Sequence, residues 1–173
     1  IIESKRVNPL LSKIESHISE AKASKGKDDR ARLNAGNKLK IASKPLLSSL
    51  KAIIGESDTR YQIVADKVSQ EILQCSIDYY NDTSDLDSPA KALSLCEFAK
   101  TIAIGGAAKQ RCIENYEVIK KAFENMPPIE VAKEAKEIDS IFVWYRKQKK
   151  TSANGLELLQ KTRDSLISIK EKV

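Results

Sequence analysis

The residues of this chain that could do chemistry are few and far apart. The one histidine, His17, stands beside the apolar Ile14 and Ile18. An imidazole in that setting is expected to pack or to face solvent. The cysteines Cys75, Cys96 and Cys112 are odd in number, lack Cys-x-x-Cys spacing and sit on or beside apolar stripes. That is the pattern of buried free thiols in a reducing compartment, without zinc-ligand spacing. Cys112 ends the run Lys109-Gln110-Arg111-Cys112, whose cations could lower a thiol pKa, yet burial is the ordinary fate of such a cysteine. Gly105-Gly106-Ala107-Ala108-Lys109 places glycines and a lysine before a helix, where phosphate can bind. The Gly-x-x-x-x-Gly-Lys-Ser/Thr spacing is missing and no strand precedes it, so a turn between helices is expected. The acidic pairs Glu134/Glu137 and Asp85/Asp87 fall on expected exposed faces or loops, without the convergence that acid–base catalysis needs. The expectation is a non-enzymatic chain with no metal and no cofactor.

Charge is the next feature. Residues 1–54 hold 12 Lys/Arg against 5 Asp/Glu, whereas residues 55–173 hold 18 against 19. The basic excess therefore belongs to the N-terminal helices and could meet an acidic protein, a nucleic acid or an anionic membrane surface. A solvated lysine-rich face is the plainer expectation. The segment Trp144-Tyr145-Arg146-Lys147-Gln148-Lys149-Lys150 sets aromatics beside cations. Cations at a helix C-terminus complement its dipole, and the same residues could stack on and neutralise a nucleic-acid strand. The candidate partner surface is thus Arg30, Arg32, Lys38, Lys40, Lys44, Trp144, Arg146, Lys147 and Lys150. A nucleic-acid reading requires them to share one continuous positive surface.

Gly and Pro are few and aromatics sparse among 173 residues, which favours long helices with Leu, Ile, Val and Ala in the core. Asn8-Pro9 predicts a strong helix start, with a short helix through Ile1–Val7 leading into it and Leu10, Leu11, Ile14, Ile18 and Ala21 on the inner face. The next helix is predicted from about Asp28 to Ile54, with Leu39, Ala42, Leu46, Leu50 and Ile53 buried and a kink or division at Pro45. Pro9-Leu-Leu-Ser12 and Pro45-Leu-Leu-Ser48 match 36 residues apart, as an internal repeat or by chance. Thr59 to Tyr80 is the clearest helix: Tyr61, Val64, Val68, Ile72, Cys75 and Tyr79 step by three or four, and Ile63, Leu73, Ile77 and Tyr80 widen the face, so this helix should be central. Ser88-Pro89 opens another helix, to about Ile104. Ala107 to Asn125 follows, with Cys112, Tyr116, Ile119 and Phe123 on one face, and Pro127-Pro128 stops it. Two further helices carry a heptad rhythm. Val131, Ala135, Ile138, Phe142 and Tyr145 face Leu159, Thr162, Leu166, Ile169 and Val173 in a coiled-coil-like hairpin, with Trp144 off the seam.

The hairpin at about 65–104 resembles a tetratricopeptide repeat, on Ile72, Ser76 and Tyr79 in its first helix and Ala92, Cys96 and Ala99 in its second. Its loop is longer than that family's, and Gly105 stands where a helix-ending proline is usual. The resemblance implies a helical array whose groove binds a peptide or partner protein. The expected architecture is all-α: six to seven helices packed as antiparallel hairpins in one domain over 1–173. A sub-boundary is expected at 126–128. The chain is read as excised from a longer, cytoplasmic, bacterial protein, with no apolar run long enough to span a membrane. The expected function is a protein-interaction or scaffolding domain; the alternative is a nucleic-acid-binding module.

Overall fold

The computed structural model describes residues 2–28, 30–83, 85, 87–128, 130–148 and 154–171. Among them there are seven helices and no strand: α1 (Ile2–Lys22), α2 (Ala31–Ile54), α3 (Thr59–Asp82), α4 (Ser88–Ile102), α5 (Gly106–Glu124), α6 (Ala132–Lys147) and α7 (Gly155–Lys170). They form two compact units, Ile1–Glu124 and Asn125–Val173. None of the described helices is long and apolar enough to cross a membrane.

In the first unit, α3 packs against α1, α2, α4 and α5. Its sequence explains why. Asp58 caps it by accepting from the Arg60 amide at 2.8 Å. Tyr61, Val64, Val68, Ile72, Cys75 and Tyr79 are all buried, as their spacing predicts. Ala65, Ser69, Leu73 and Ser76 are buried as well, so the apolar arc is wide enough to be enclosed on more than one side. Ser76 donates to the Ala92 carbonyl at 2.8 Å and meets Cys96 Sγ at 3.2 Å. These short side chains let α3 and α4 approach closely. On α2, Gly36 serves the same end: a Cβ there would lie 2.8 Å from Leu95 Cδ1 and 2.9 Å from Cys75 Cβ.

Two expectations for the first helices are overturned. Asn8-Pro9 is not a helix start, because α1 runs through Pro9 from Ile2. Nor does Pro45 divide α2. A proline deprives the carbonyl four residues earlier of its donor. Those carbonyls belong to Lys5 and Ile41, both exposed residues, where water can replace the lost bond. The turn before Pro9 is held because Val7 is fully buried. The inner stripe of α2 is also turned from the expected one. It reads Arg32, Gly36, Leu39, Ser43, Leu47 and Leu50, while Ile53 is exposed.

Arg32 is the reason for that rotation. Its Nε donates to Asp78 Oδ2 at 2.8 Å, and Nη1 and Nη2 both reach Glu71 Oε1 at 3.1 Å. Nη1 also donates to the Ala21 carbonyl at 2.7 Å and Ser24 Oγ at 3.3 Å. Gln74 Nε2 supports Asp78 Oδ1 at 2.8 Å. One buried guanidinium therefore joins the end of α1, the following turn, α2 and α3. Arg32→Met would leave two buried carboxylates without their cation. The expected loss is about 3–5 kcal/mol in urea unfolding, much of it recovered on adding Glu71→Gln and Asp78→Asn. A loss no larger than that of Lys44→Ala at an exposed position would contradict this account.

Candidate interaction surfaces

The basic residues of the first unit are largely used within it. Arg30 Nη2 pairs with Asp85 Oδ1 at 2.7 Å. Arg32 is buried, which corrects its expected place on a partner surface: a guanidinium with carboxylates on both sides is more stable inside than lysine-like solvation would suggest. Lys38 pairs with Glu20 at 3.0 Å and holds that carboxyl below its ordinary range. Lys40 reaches the Ser94 carbonyl and Oγ at 3.5 and 3.4 Å and lies 5.5 Å from the Phe98 ring centre. Lys44 is exposed. In the second unit Arg146 Nε donates to the Phe142 carbonyl at 3.4 Å, and Lys147 is exposed. Lys150 lies outside the described residues. Trp144, expected off the seam, is half-buried with Lys161 Nζ 5.1 Å from its ring centre, so it belongs to the contact between α6 and α7.

Asp85 is the most heavily committed acid. Besides Arg30 it accepts from Tyr79 Oη at 2.9 Å and Lys91 Nζ at 3.3 Å. Arg30 first, then Tyr79, holds its carboxyl down at about 2. Asp85, which precedes α4, is thereby tied to the start of α2 and to α3.

A groove of about 540 Å³ runs between α1, α3 and α5. It is lined by Glu15, Asp66 and Glu71 against Lys22, Lys67 and Arg111, with Ile18 and Ile63 among them. Lys67 pairs with Glu15 at 2.6 Å, and Arg111 donates to Gln70 Oε1 at 2.6 Å and Gln74 Oε1 at 2.7 Å. Opposite charges offset one another along its walls, so the groove has no convergent acid–base or nucleophilic set.

The Gly105-Gly106 segment forms the turn between α4 and α5, and its anion site is filled from within. Asp66 Oδ1 accepts from the Ile104 amide at 2.8 Å and the Gly105 amide at 3.1 Å, and Oδ2 also accepts from Gly105 at 3.1 Å. A carboxylate is the expected guest at a helix N-terminus. A Cβ at Gly105 would come within 2.5 Å of Asp66 Oδ2, so glycine is required for this approach. The three cysteines are free and buried. Burial pushes Cys75 up to about 12 and raises Cys96 and Cys112. At Cys112 it outweighs the opposing Ser69 hydrogen bond and Arg111 charge. Among the described residues no group of three or more His, Cys, Asp or Glu is placed to hold a metal ion.

The second unit is built differently. Its α6 and α7 pack together, but only Ala132, Thr162 and Ile169 of these helices are buried. Thr162 Oγ1 donates to the Leu158 carbonyl at 2.8 Å, so the hydroxyl on the seam is satisfied locally. On α6, Ile141, Trp144, Tyr145 and Gln148 are partly buried, and Lys161 of α7 lies over the Trp144 ring. The expected seam is therefore corrected: Ile138 and Phe142 are 36% and 42% exposed. On α7, Leu156, Leu159 and Ile167 are 81%, 54% and 41% exposed. With about 100° per residue, the exposed stripe lies about a quarter turn past the buried one on α6 and about a third of a turn past it on α7, in the same rotational sense. The helices of a short-looped hairpin run in opposite directions and face each other, so both exposed stripes emerge on one side. Ile138, Phe142, Leu156, Leu159 and Ile167 thus share one outward side of the hairpin.

No family model, no characterised protein and no solved structure matches this chain. The buried ionic cluster was missed at the level of sequence, although a signal for it exists. Arg32, Gly36 and Leu39 repeat the four-then-three spacing of Glu71, Cys75 and Asp78, which places charges in register with inner faces.

Two outcomes follow from these environments. In the native protein, Ellman's reagent at about pH 8 should find no rapidly reacting thiol, and denaturation should release all three; a fast native reaction at Cys112 would contradict its burial. For Asp85 the folded pKa lies below the ordinary value of 3.8. Its contribution to stability is thus complete above about pH 4 and lost as pH falls through about 2. Asp85→Asn should lower the melting temperature at neutral pH and flatten the acid limb, measured by circular dichroism across pH. An unchanged acid limb would count against the Arg30–Asp85–Tyr79 contacts.

Proposed function

We propose that this chain is a non-enzymatic, all-α protein-interaction module whose α6/α7 hairpin presents its outward apolar face to another protein. The observation that carries the reading is the exposure of Ile138, Phe142, Leu156, Leu159 and Ile167 on a hairpin with only three buried residues in its helices. Apolar residues gathered on one side of a small helical unit mark a surface that gains free energy when covered. The tetratricopeptide-like reading of 65–104 belongs to the same proposal. Its support is the close approach of Ser76, Ala92, Cys96 and Ala99, all fully buried. Three free buried thiols fit a reducing compartment, and we assign the chain to the cytoplasm on that ground.

Protein binding is favoured over nucleic-acid binding by the use of Arg30, Arg32, Lys38 and Lys40 in internal contacts. A cation already facing a carboxylate releases fewer counterions from a phosphate backbone. The test is affinity capture from cell extract with the wild-type chain and with Phe142→Glu/Leu159→Glu. The expected result is a discrete, near-stoichiometric protein recovered by wild type and lost with the variant, with circular dichroism unchanged. Recovery of nucleic acid alone, or of the same protein equally by both chains, would overturn the reading.

A further inference from the structure

We propose that the protein covering this face is a second copy of the same chain. Two α6/α7 hairpins pack face to face as an antiparallel four-helix bundle, α6 on α6 and α7 on α7, about a two-fold axis at the level of Phe142. This rests on the reading of the hairpin as a protein-binding surface and names its occupant.

The charge pattern along α6 selects a copy of itself. A two-fold interface must be self-complementary. Residues 132–139 carry Glu134, Glu137 and Asp139 against Lys133 and Lys136, whereas residues 140–147 carry Arg146 and Lys147 with no acid. Reversing one α6 on the other sets acidic half against basic half. Asp139 and Arg146 are exposed and seven residues apart, hence on the same edge of the outer stripe. In an antiparallel pair the same edges of the two helices meet. A two-fold midway between these positions passes at Phe142 and Val143 and brings each Asp139 to the Arg146 of the other copy. Among the described residues neither is paired with an opposite charge: Asp139 forms no ion pair, and Arg146 reaches only the Phe142 carbonyl.

The apolar residues agree with the same axis. Lys161 over Trp144 sets the level at which α7 passes α6. The midpoint of Leu156, Leu159 and Ile167 falls at the level of Lys161, hence beside Trp144, about 3 Å along the axis from Phe142, so the two outer stripes are centred close to one line. Each helix has 16 residues, about 24 Å. Two helices about 10 Å apart offer a face of roughly 500 Å². Two such faces bury roughly 1,000 Å², at the lower edge of specific interfaces, so the dimer should be weak and concentration-dependent.

The test is sedimentation equilibrium of the full chain from about 1 to about 200 µM, the range over which so small an interface dissociates. The expected result is a monomer–dimer equilibrium. Phe142→Glu should weaken it at least about 100-fold with helicity unchanged. Asp139→Arg and Arg146→Asp should each weaken it roughly three- to tenfold, and the double variant should return to within about threefold of wild type. A monomer throughout, a dimer indifferent to Phe142→Glu, or charge reversals that do not rescue each other would overturn the proposal. The broader reading fails separately. A monomer that still captures a different protein through Phe142 overturns self-association alone, and a monomer that captures none removes both.

Discussion

The guanidinium of Arg32, held between Glu71 and Asp78, is the interaction on which the first unit depends. Apolar contact is non-directional and would tolerate several rotations of α2 against α3. A buried cation with fixed donors tolerates one. Its hydrogen bonds to Ala21 and Ser24 extend the constraint to the end of α1, where a positive charge also suits the helix dipole. Desolvation of such a group is costly, and here it is met by two carboxylates, a carbonyl and a hydroxyl together. The cluster determines which face of α2 is inside, and so places Leu39, Leu47 and Leu50 in the core.

Close approach is the second constraint, and it follows from the first. With α2 set in that rotation, Gly36 meets Leu95 and Cys75 where any side chain would collide. Ser76 and Ala92 do the same between α3 and α4. Asp66 then closes the turn before α5 by occupying the amides a phosphate would have needed. Internal demands thus absorb most of the groups that looked reactive: the arginine, the glycine turn, the cysteines and Asp85. Their side chains are committed to contacts within the first unit.

The second unit shows the opposite economy. Two helices have one mutual seam, and a seam alone cannot enclose a core. Each helix of the hairpin carries apolar residues that the seam leaves exposed. Burying the remainder needs another surface, and the charges along α6 are arranged as an antiparallel copy would require. The binding surface we propose lies where folding leaves apolar residues exposed beside Asp139 and Arg146.

Helical periodicity is a local property, and it was legible. The all-α class, six to seven helices and the Tyr61, Val64, Val68, Ile72, Cys75 and Tyr79 face of α3 follow from spacing alone, though Ile63, read as widening that face, is exposed; a 3.6-residue repeat dictates what shares a side whatever lies opposite. The choice among competing faces was not legible. Pro9 and Pro45 read as boundaries, but they sit on exposed sides where water can serve the orphaned carbonyls. Arg32 read as a surface cation, since nothing near it in sequence shows Glu71 and Asp78. Ile138 and Phe142 read as the hairpin seam, since they are as apolar as Ile141 and Trp144. The sequence by itself determined the helices and their amphipathic arcs. Only the tertiary structure decided which part of each arc is covered, because burial depends on what another element brings within reach.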